Sequence, residues 1–419
     1  MNENEVSRRG FLRVSAVSLA TAGATGRLYA AGSDAVRIGI IGCGGQGTRD
    51  LISCVKSSPG VQIAAMGDLF EDRLQESLHK LRQDVPQAVK VTPDRCFVGW
   101  QACAQVLETD VHVVFLTTPP HFRAMYLQAA IEAGKHVFME KPAGVDPKQI
   151  RSVIKTSEMA QQKRLSIVAG TQRRHSKKYQ EIIRRVHDGQ IGEVVAAQAY
   201  WNGGDMLGYW KWWDKENRSD VEWQLRSWPW FTWTSGDHIV EQHVHNLDVI
   251  NWALQGHPEQ CLGMGGRAVR TLGNIYDHFA VEFEYPRGVR VESLCRQING
   301  CTDRIAERVV GTKGYADVDR GVIEGENPFK YSGPDPDHYV QEMADLVASI
   351  REAKPINEGR QVAESTMNAI MGRMSAYTGR ALKWDWAMTA SKLDLTPPKY
   401  GWVEFPVEPV AVPGKTQLI

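Results

Sequence analysis

The chain has 419 residues, enough for two domains of ordinary size, and its 49 basic residues are balanced by 49 acidic ones. That balance leaves no net field to draw it to nucleic acid or to acidic membranes, so the expected partner is a small molecule. Seven cysteines without C-x-x-C spacing exclude a zinc ribbon and give no disulfide framework, and their odd number leaves at least one unpaired within the chain.

Residues 1–32 read as a leader rather than as part of the fold. Ser7-Arg-Arg-Gly-Phe-Leu12 is a twin-arginine pattern, followed by a weakly apolar stretch from Val14 to Ala24 and small residues around Ala30 and Ala31 where a peptidase could cut. The apolar stretch is too short to span a bilayer. The expectation is export to the periplasm, cleavage, and no membrane span in the mature protein.

From Val36 to about Ile150 strand-like and helix-like segments alternate, as a parallel sheet with crossover helices requires. The apolar run Val36 to Ile41 meets G-x-G-x-x-G spacing at Gly42, Gly44 and Gly47, and Thr48 to Val55 continues as a helix. This is the pattern of a dinucleotide-binding turn. Gly42 permits the tight turn, Gly44 lets the backbone approach a pyrophosphate with Gly45 and Gln46 beside it, and Gly47 lets the helix pack on the strand. A second apolar run, Val61 to Met66, leads to Asp68, about 20 residues on, where this fold places the carboxylate that takes a ribose 2′-hydroxyl. An acid there repels a 2′-phosphate, which favours NAD over NADP, although Arg73 could accommodate the phosphate. The plainer alternative is that Asp68 caps a helix over Glu71 to Leu81.

A short strand is expected near Val89 to Val91. Val111 to Thr118 reads as a buried strand ending in Pro119-Pro120-His121, which sets Thr117, Thr118 and His121 at the sheet edge where ligands collect. After a helix from Phe122 to Ala133, the strand His136 to Glu140 stops at Lys141-Pro142. Proline after lysine biases Lys141 to an extended backbone, so its ammonium can reach the nicotinamide end and polarise an oxygen or donate a proton. The alternative is a solvated loop lysine paired with Glu140.

Leu165 to Gly170 reads as a further strand, Thr171-Gln-Arg-Arg-His175 follows it, and a helix covers Ser176 to Asp188. Val194 to Tyr200 opens a second sheet. Eight tryptophans then fall between Trp201 and Trp233, among them Trp210, Trp212, Trp213, Trp223, Trp228 and Trp230. Indole faces stack on the C–H faces of sugars, but a core or a subunit interface is expected to take most of these. From Ile239 on, Val240, Val244, Leu247 and Ile250 give helical periodicity. Glu241 and His245 are then adjacent on one helix side, so the carboxylate can fix the imidazole's tautomer while the other nitrogen takes a hydroxyl proton as hydride leaves carbon. Asp237, His238, Glu241, His243 and His245 also permit a metal reading, but no complete metal motif is present and no metal is expected. Runs at Phe279 to Tyr285, Val289 to Leu294 and Arg308 to Val310 read as antiparallel strands, His338 to Ala353 and Gly359 to Ala381 as helices, and the proline-rich tail as a wrap over a neighbour or the domain surface.

The order of glycine turn, acid after the second strand, Thr-Pro with a nearby His, and Ala133-Gly-Lys-His-Val-Phe-Met-Glu-Lys-Pro142 resembles the Gfo/Idh/MocA family, which includes glucose-fructose oxidoreductase and inositol dehydrogenase. The resemblance covers most of Val36 to Val145 and returns in pieces later. It implies an α/β protein: an NAD(P)-binding Rossmann domain with a doubly wound parallel sheet over residues 33–160, then an α/β domain with a large open, mostly antiparallel sheet over residues 161–390, and a tail over 391–419. The second sheet would carry substrate residues and the subunit contacts of a homo-oligomer. Lys141 would be the family's active-site lysine, with Glu140 beside it at the cofactor, and Gln172 and Arg173 would lie beside the nicotinamide. The family's catalytic helix shows Asp-x-x-x-His followed by Asp three residues on; His245 and Asp248 match, and Glu241 stands in place of the usual Asp.

The implied function is hydride transfer at a secondary alcohol of a sugar, a sugar derivative or a cyclitol. An exported protein meets no expected NAD pool, so the nucleotide is expected to be tightly bound and regenerated in place. Either one sugar is oxidised and another carbonyl reduced, or the same substrate is oxidised and later reduced. The second version is a glycosidase of a different class: a ketone at C3 acidifies the neighbouring C–H, permitting elimination, hydration and re-reduction, and no separate carboxylate pair for ordinary glycoside hydrolysis is evident. A non-catalytic sugar or nucleotide sensor is the third alternative, opposed by the presence together of Lys141, Glu241 and His245.

Overall fold

The computed structural model describes residues 35–419 and the two-residue strand Glu5–Val6. The twin-arginine motif lies outside the described residues. β1 (Val36–Ile41), β2 (Val61–Asp68), β3 (Cys96–Val98), β4 (Val113–Leu116), β5 (His136–Met139) and β6 (Ile167–Ala169) form one all-parallel sheet in the order 3-2-1-4-5-6. Runs such as Val113–Leu116 are buried at every residue, as strands covered on both faces must be. The chain reverses direction across the sheet between β1 and β4, and the crevice outside their carboxyl ends is where a ligand enters such a fold. The crossovers include α1 (Gly45–Ser57), α2 (Glu71–Asp84), α3 (Ala102–Glu108), α4 (Arg123–Glu132) and α5 (Pro147–Gln162).

The strand expected near Val89 to Val91 is reduced to a single bridge from Val89 to Ile63, and β3 supplies the edge instead. Pro86 and Pro93 each open a 3-10 turn on either side of it. Neither proline has an N–H to give to a ladder.

The second sheet has nine strands: β7 (Val194–Gly203), β8 (Gln260–Gly266), β9 (His278–Tyr285), β10 (Val289–Gln297), β11 (Arg304–Gly311), β12 (Gly314–Asp317), β13 (Val322–Gly325), β14 (Phe329–Lys330) and β15 (Leu382–Lys383), in the order 14-13-12-11-7-10-9-8-15. All its pairs are antiparallel except β7 with β10. Along β10, Val289, Val291, Ser293, Cys295 and Gln297 are buried while the residues between them are not, the alternation of a sheet with one covered face.

Helices α6 (Lys177–His187), α7 (Asp220–Arg226), α8 (Val244–Leu254), α9 (His338–Arg351) and α10 (Gly359–Thr378) follow, with shorter helical pieces at Thr232–Ser235, His238–Glu241 and Trp384–Thr389. Although α9 follows the second sheet in sequence, its Met343, Leu346, Val347 and Ile350 join the core formed by Val36, Ile38 and Ile40 of the first sheet. α10 is buried along most of its length and shares a core with Ile150 and Val153 of α5 and with Val281 and Phe283 of β9. It ends at Thr378 because Gly379 takes a left-handed backbone, φ 73°. One helix therefore sits in contact with both sheets' layers, and its packing sets how they face each other. Ile370, fully buried there, is expected to cost about 2–5 kcal/mol of stability when replaced by alanine, measured by urea unfolding of the whole chain.

Candidate active site

The glycine turn is built as its spacing requires. Gly42 has φ +100°, and a Cβ there would stand 2.6 Å from the Thr118 amide nitrogen. A Cβ on Gly47 would stand 2.7 Å from the Gly42 carbonyl. At Gly44 and Gly45 the contrast decides the reading: a Cβ would meet nothing within 4 Å, so these glycines leave room for a ligand rather than for protein. The first N–H groups of α1, at Gly45, Gln46 and Gly47, face that room as an anion site. The Gln46 side chain itself donates to Asp50 Oδ1, 2.7 Å away.

Asp68 ends β2 with its carboxylate drawn toward the turn. Oδ2 accepts the Cys43 N–H at 2.6 Å and Oδ1 the Phe70 N–H at 2.8 Å. It does not cap α2, whose N-cap is Phe70 without a side-chain bond. Burial pushes its pKa up to about 6 against the lowering effect of those two N–H bonds, so it is ionised at neutral pH. Thr117 Oγ1 donates to the Gly42 carbonyl at 2.6 Å and braces the turn, while the buried Thr118 Oγ1 has no partner. His121, expected at the sheet edge, is turned inward on a 3-10 turn: Nε2 lies 2.9 Å from the Tyr400 hydroxyl and Nδ1 3.2 Å from Gln149 Nε2, among Phe122 and Trp233.

Lys141 crosses from one domain to the other. It follows β5, and its Nζ donates to the Glu241 carbonyl at 2.7 Å and lies 3.4 Å from Glu241 Oε1. The side chains are 11% and 5% exposed. Glu140 lies behind, its Oε2 accepting the Lys141 N–H at 3.0 Å. Burial raises the Glu140 pKa while Lys141 and Arg123 oppose it. Gln172 gives its amide N–H to the Tyr339 hydroxyl at 2.9 Å and keeps a buried Oε1 without partner. Arg173 pairs with the buried Glu307 and lies 5.8 Å from the Trp201 ring.

The expected pairing of Glu241 with His245 is corrected. The helix is broken: a single turn, His238–Glu241, stops at Gln242, and α8 starts afresh at Val244. The pair is therefore not on one continuous helix side, and Lys141 and Gln242 both reach Glu241 Oε1 while its buried Oε2 has no partner. Among the described residues no hydrogen bond reaches the His245 imidazole, which stacks on Trp201 at 5.8 Å between ring centres and 20° between planes. Burial first, and then the charges of Lys141 and Arg173 and the ring of His338, hold the His245 pKa well below the usual 6.5. The imidazole is thus neutral at pH 7 and able to accept a proton. Asp248 accepts a two-pronged bond from Arg174, 2.8 and 3.0 Å, and one from Ser365 at 2.8 Å, a bracing role. Asp237 accepts from Tyr276 and His243 contacts Ser293, so these side chains point apart, and no group of three His, Cys, Asp or Glu among the described residues could hold a metal.

Two family models match the chain: one described as oxidoreductase family, NAD-binding Rossmann fold, over residues 36–168, and one as GFO/IDH/MocA C-terminal domain over 179–317. The chain belongs to the Gfo/Idh/MocA oxidoreductase family. It is 30% identical over 260 residues to an inositol 2-dehydrogenase of Pseudomonas syringae pv. syringae, covering 62% of this chain and 66% of that protein. To a glycosyl hydrolase family 109 protein of Saccharopolyspora erythraea it is 27% identical over 219 residues, 47% of this chain and 46% of that one. The matches thus span less than two thirds of either relative's length. The structure of scyllo-inositol dehydrogenase from Lactobacillus casei with bound NAD(H) and scyllo-inositol has the same fold, with TM-score 0.64, 17% identity, and coverage of 83% of this chain and 99% of that one.

The residues present fit the family's dinucleotide. Gly44 and Gly45 leave the space, α1 points N–H groups at it, and Thr118 Oγ1 and Gln172 Oε1 are buried polar atoms awaiting a partner. Sequence reasoning missed Tyr339, His338, Arg123 and the buried carboxylates Asp50 and Glu342. All but Asp50, which lies on α1 and accepts from Gln46 one turn before it, reach the cleft region through tertiary contacts that no local pattern signals. A charge removed beside His245 must raise its pKa, so in Arg173→Met the acid limb of the rate profile is expected to move to higher pH, read from kcat/KM against pH.

Proposed function

We propose that the protein is an NAD-dependent oxidoreductase acting on a secondary alcohol of a sugar, sugar derivative or cyclitol. The observation that supports this most is the meeting of Lys141 with Glu241 across the cleft, beside an unbonded, neutral His245. Gly44, Gly45 and Gln46 would hold the pyrophosphate, Asp68 the adenosine ribose, and Thr118, Glu140 and Gln172 the nicotinamide end. Bound there, NAD supplies the acceptor for the hydride that leaves the substrate carbon. Lys141 Nζ has three N–H groups, of which two are directed at Glu241; the third is available to a substrate oxygen. His245 takes the hydroxyl proton on a ring nitrogen, and Lys141 stabilises the oxygen as charge develops on it. Trp201, stacked on His245, offers the aromatic face for a ring's C–H groups.

Asp68 supports NAD over NADP, since a 2′-phosphate would stand against its carboxylate. The twin-arginine motif supports export to the periplasm with the nucleotide tightly bound and recycled. The outward Leu262 and Met264 of β8, both exposed, support subunit contact through the open sheet face. A second reading, net glycoside hydrolysis by oxidation, elimination, hydration and re-reduction, draws support from the relative named as a family 109 glycosyl hydrolase.

The test is absorbance of the bound nucleotide on adding cyclitols and sugars. Lys141→Met and His245→Ala are each expected to slow hydride transfer by about 10²-fold or more while NAD remains bound by equilibrium dialysis. Turnover at the wild-type rate in either would remove that residue from the mechanism. Release of an aglycone without added NAD, with solvent deuterium entering at C2, would select the second reading. In Asp68→Asn the ratio of NADP to NAD affinity is expected to rise about tenfold or more, and an unchanged ratio would dismiss Asp68 as the discriminating group.

A further inference from the structure

The loop that follows Asp68 is held from above by the second domain and from the side by the tail. Phe70, whose N–H anchors the Asp68 carboxylate at 2.8 Å, has the Arg226 guanidinium 4.0 Å from its ring centre. Arg226 ends α7, and its Nη1 and Nη2 reach the two Asp72 oxygens at 2.9 and 3.3 Å. Its Nε lies 3.2 Å from Glu222 Oε1, so a carboxylate from each domain fixes the guanidinium plane. The Trp402 indole stacks on the same Phe70, 5.7 Å between centres and 27° between planes, and lies 5.2 Å from Trp100.

The tail is itself tied to the second domain. The Phe405 N–H donates to Asp220 Oδ2 at 2.9 Å, Gln224 Nε2 to the Phe405 carbonyl at 2.6 Å, and the Val221 N–H to the Val403 carbonyl at 3.3 Å. α7 and the tail thus form one body, and both of its contacts with the β2–α2 loop land on the residue that positions Asp68. None of these groups lies at Lys141 or His245, at the other half of the crevice.

On the reading that the crevice binds NAD, the adenosine half lies at Asp68, and displacing Phe70 withdraws the N–H that holds that carboxylate. Displacing Phe70 must break a guanidinium–ring contact and an aromatic stack together, while Arg226 stays tied to Asp72 at the start of α2. We infer that Arg226 and Trp402 are retention residues, clasping the Phe70 loop over the adenosine half so that the dinucleotide stays on the protein between turnovers. The clasp acts on the rate of nucleotide release.

The experiment loads the full-length protein with NADH and follows loss of bound fluorescence after a chase with excess NAD. Arg226→Met and Trp402→Ala are expected to release NADH about tenfold faster than wild type, with apo-protein melting curves confirming that each is folded. Arg226→Lys is the deciding variant, because it keeps a charge for Asp72 while losing the planar face on Phe70, and its release is expected to be severalfold faster. Release from Arg226→Lys at the wild-type rate overturns the inference while leaving NAD binding intact. A folded wild-type chain that takes up no NADH overturns both the clasp and the reading it rests on.

Discussion

A lysine at the carboxyl end of one parallel strand and a glutamate from a broken helix in the other domain share a hydrogen-bonded contact almost out of water. Removing either charge alone would strand the other in a poorly solvated cleft. That requirement fixes more than the two side chains. The shorter bond, 2.7 Å, goes to the Glu241 main-chain carbonyl, an acceptor exposed only because the helix stops there. The break in the helix, the separation of the domains and the position of the ammonium are therefore one constraint. With Glu241 committed to Lys141, His245 is left without a carboxylate partner, and its proton affinity is set by its surroundings.

Those surroundings fall into two groups. Around His245 stand Lys141 and Arg173, which with burial keep the ring uncharged. Behind Lys141 stand Glu140, Asp50 and Glu342, all buried and all with raised pKa values, burial being the leading cause in each. Arg123 shares that interior: burial lowers its pKa to about 10, and Glu140, Glu241 and Asp50 pull the other way. Lys141 and Arg173 thus face the imidazole, which stays neutral, and the carboxyl groups whose burial favours the protonated form lie deeper, near Glu140.

Much of this was legible where the determinants are local. Gly42 and Gly47 announce their turn because their roles are steric and met within a few residues or in the next strand. The strands Val36–Ile41, Val61–Asp68, Val113–Leu116 and His136–Met139 announce themselves by apolar runs, and Lys141 by the proline that stops its strand. What escaped depends on partners far away in sequence. Nothing near Glu241 says that a lysine 100 residues earlier will claim it, so helical spacing pointed to His245 instead. Val89 to Val91 has the composition of a strand, but prolines on both sides deny it neighbours. His121 stands after a strand end, as a cofactor residue would, yet Tyr400 and Gln149 draw it inward. Asp50 and Glu342 sit on helices where an acid ordinarily faces water, and only the packing of α9 against the first sheet buries Glu342.

The tryptophan-rich segment divides along the same physical line. Trp201 lies on β7, where the strand's end brings it against His245, and its ring is half-covered and parallel to the imidazole. Trp212 packs edge to face with Trp223 and Trp230, and Trp223 with Phe231, and the Trp233 and Trp223 N–H groups are spent on Gln224 and on the Trp213 carbonyl. Large rings with satisfied polar edges make a rigid body from a stretch that has little regular structure of its own. That body carries Asp220, Gln224 and Arg226, the residues that grip the tail and the Phe70 loop. Indole area that a sugar site would have left open is instead used to hold a guanidinium in place at the far end of the crevice. The density of tryptophan is thus a demand of rigidity beside the Phe70 loop, and only one of the eight stacks on His245.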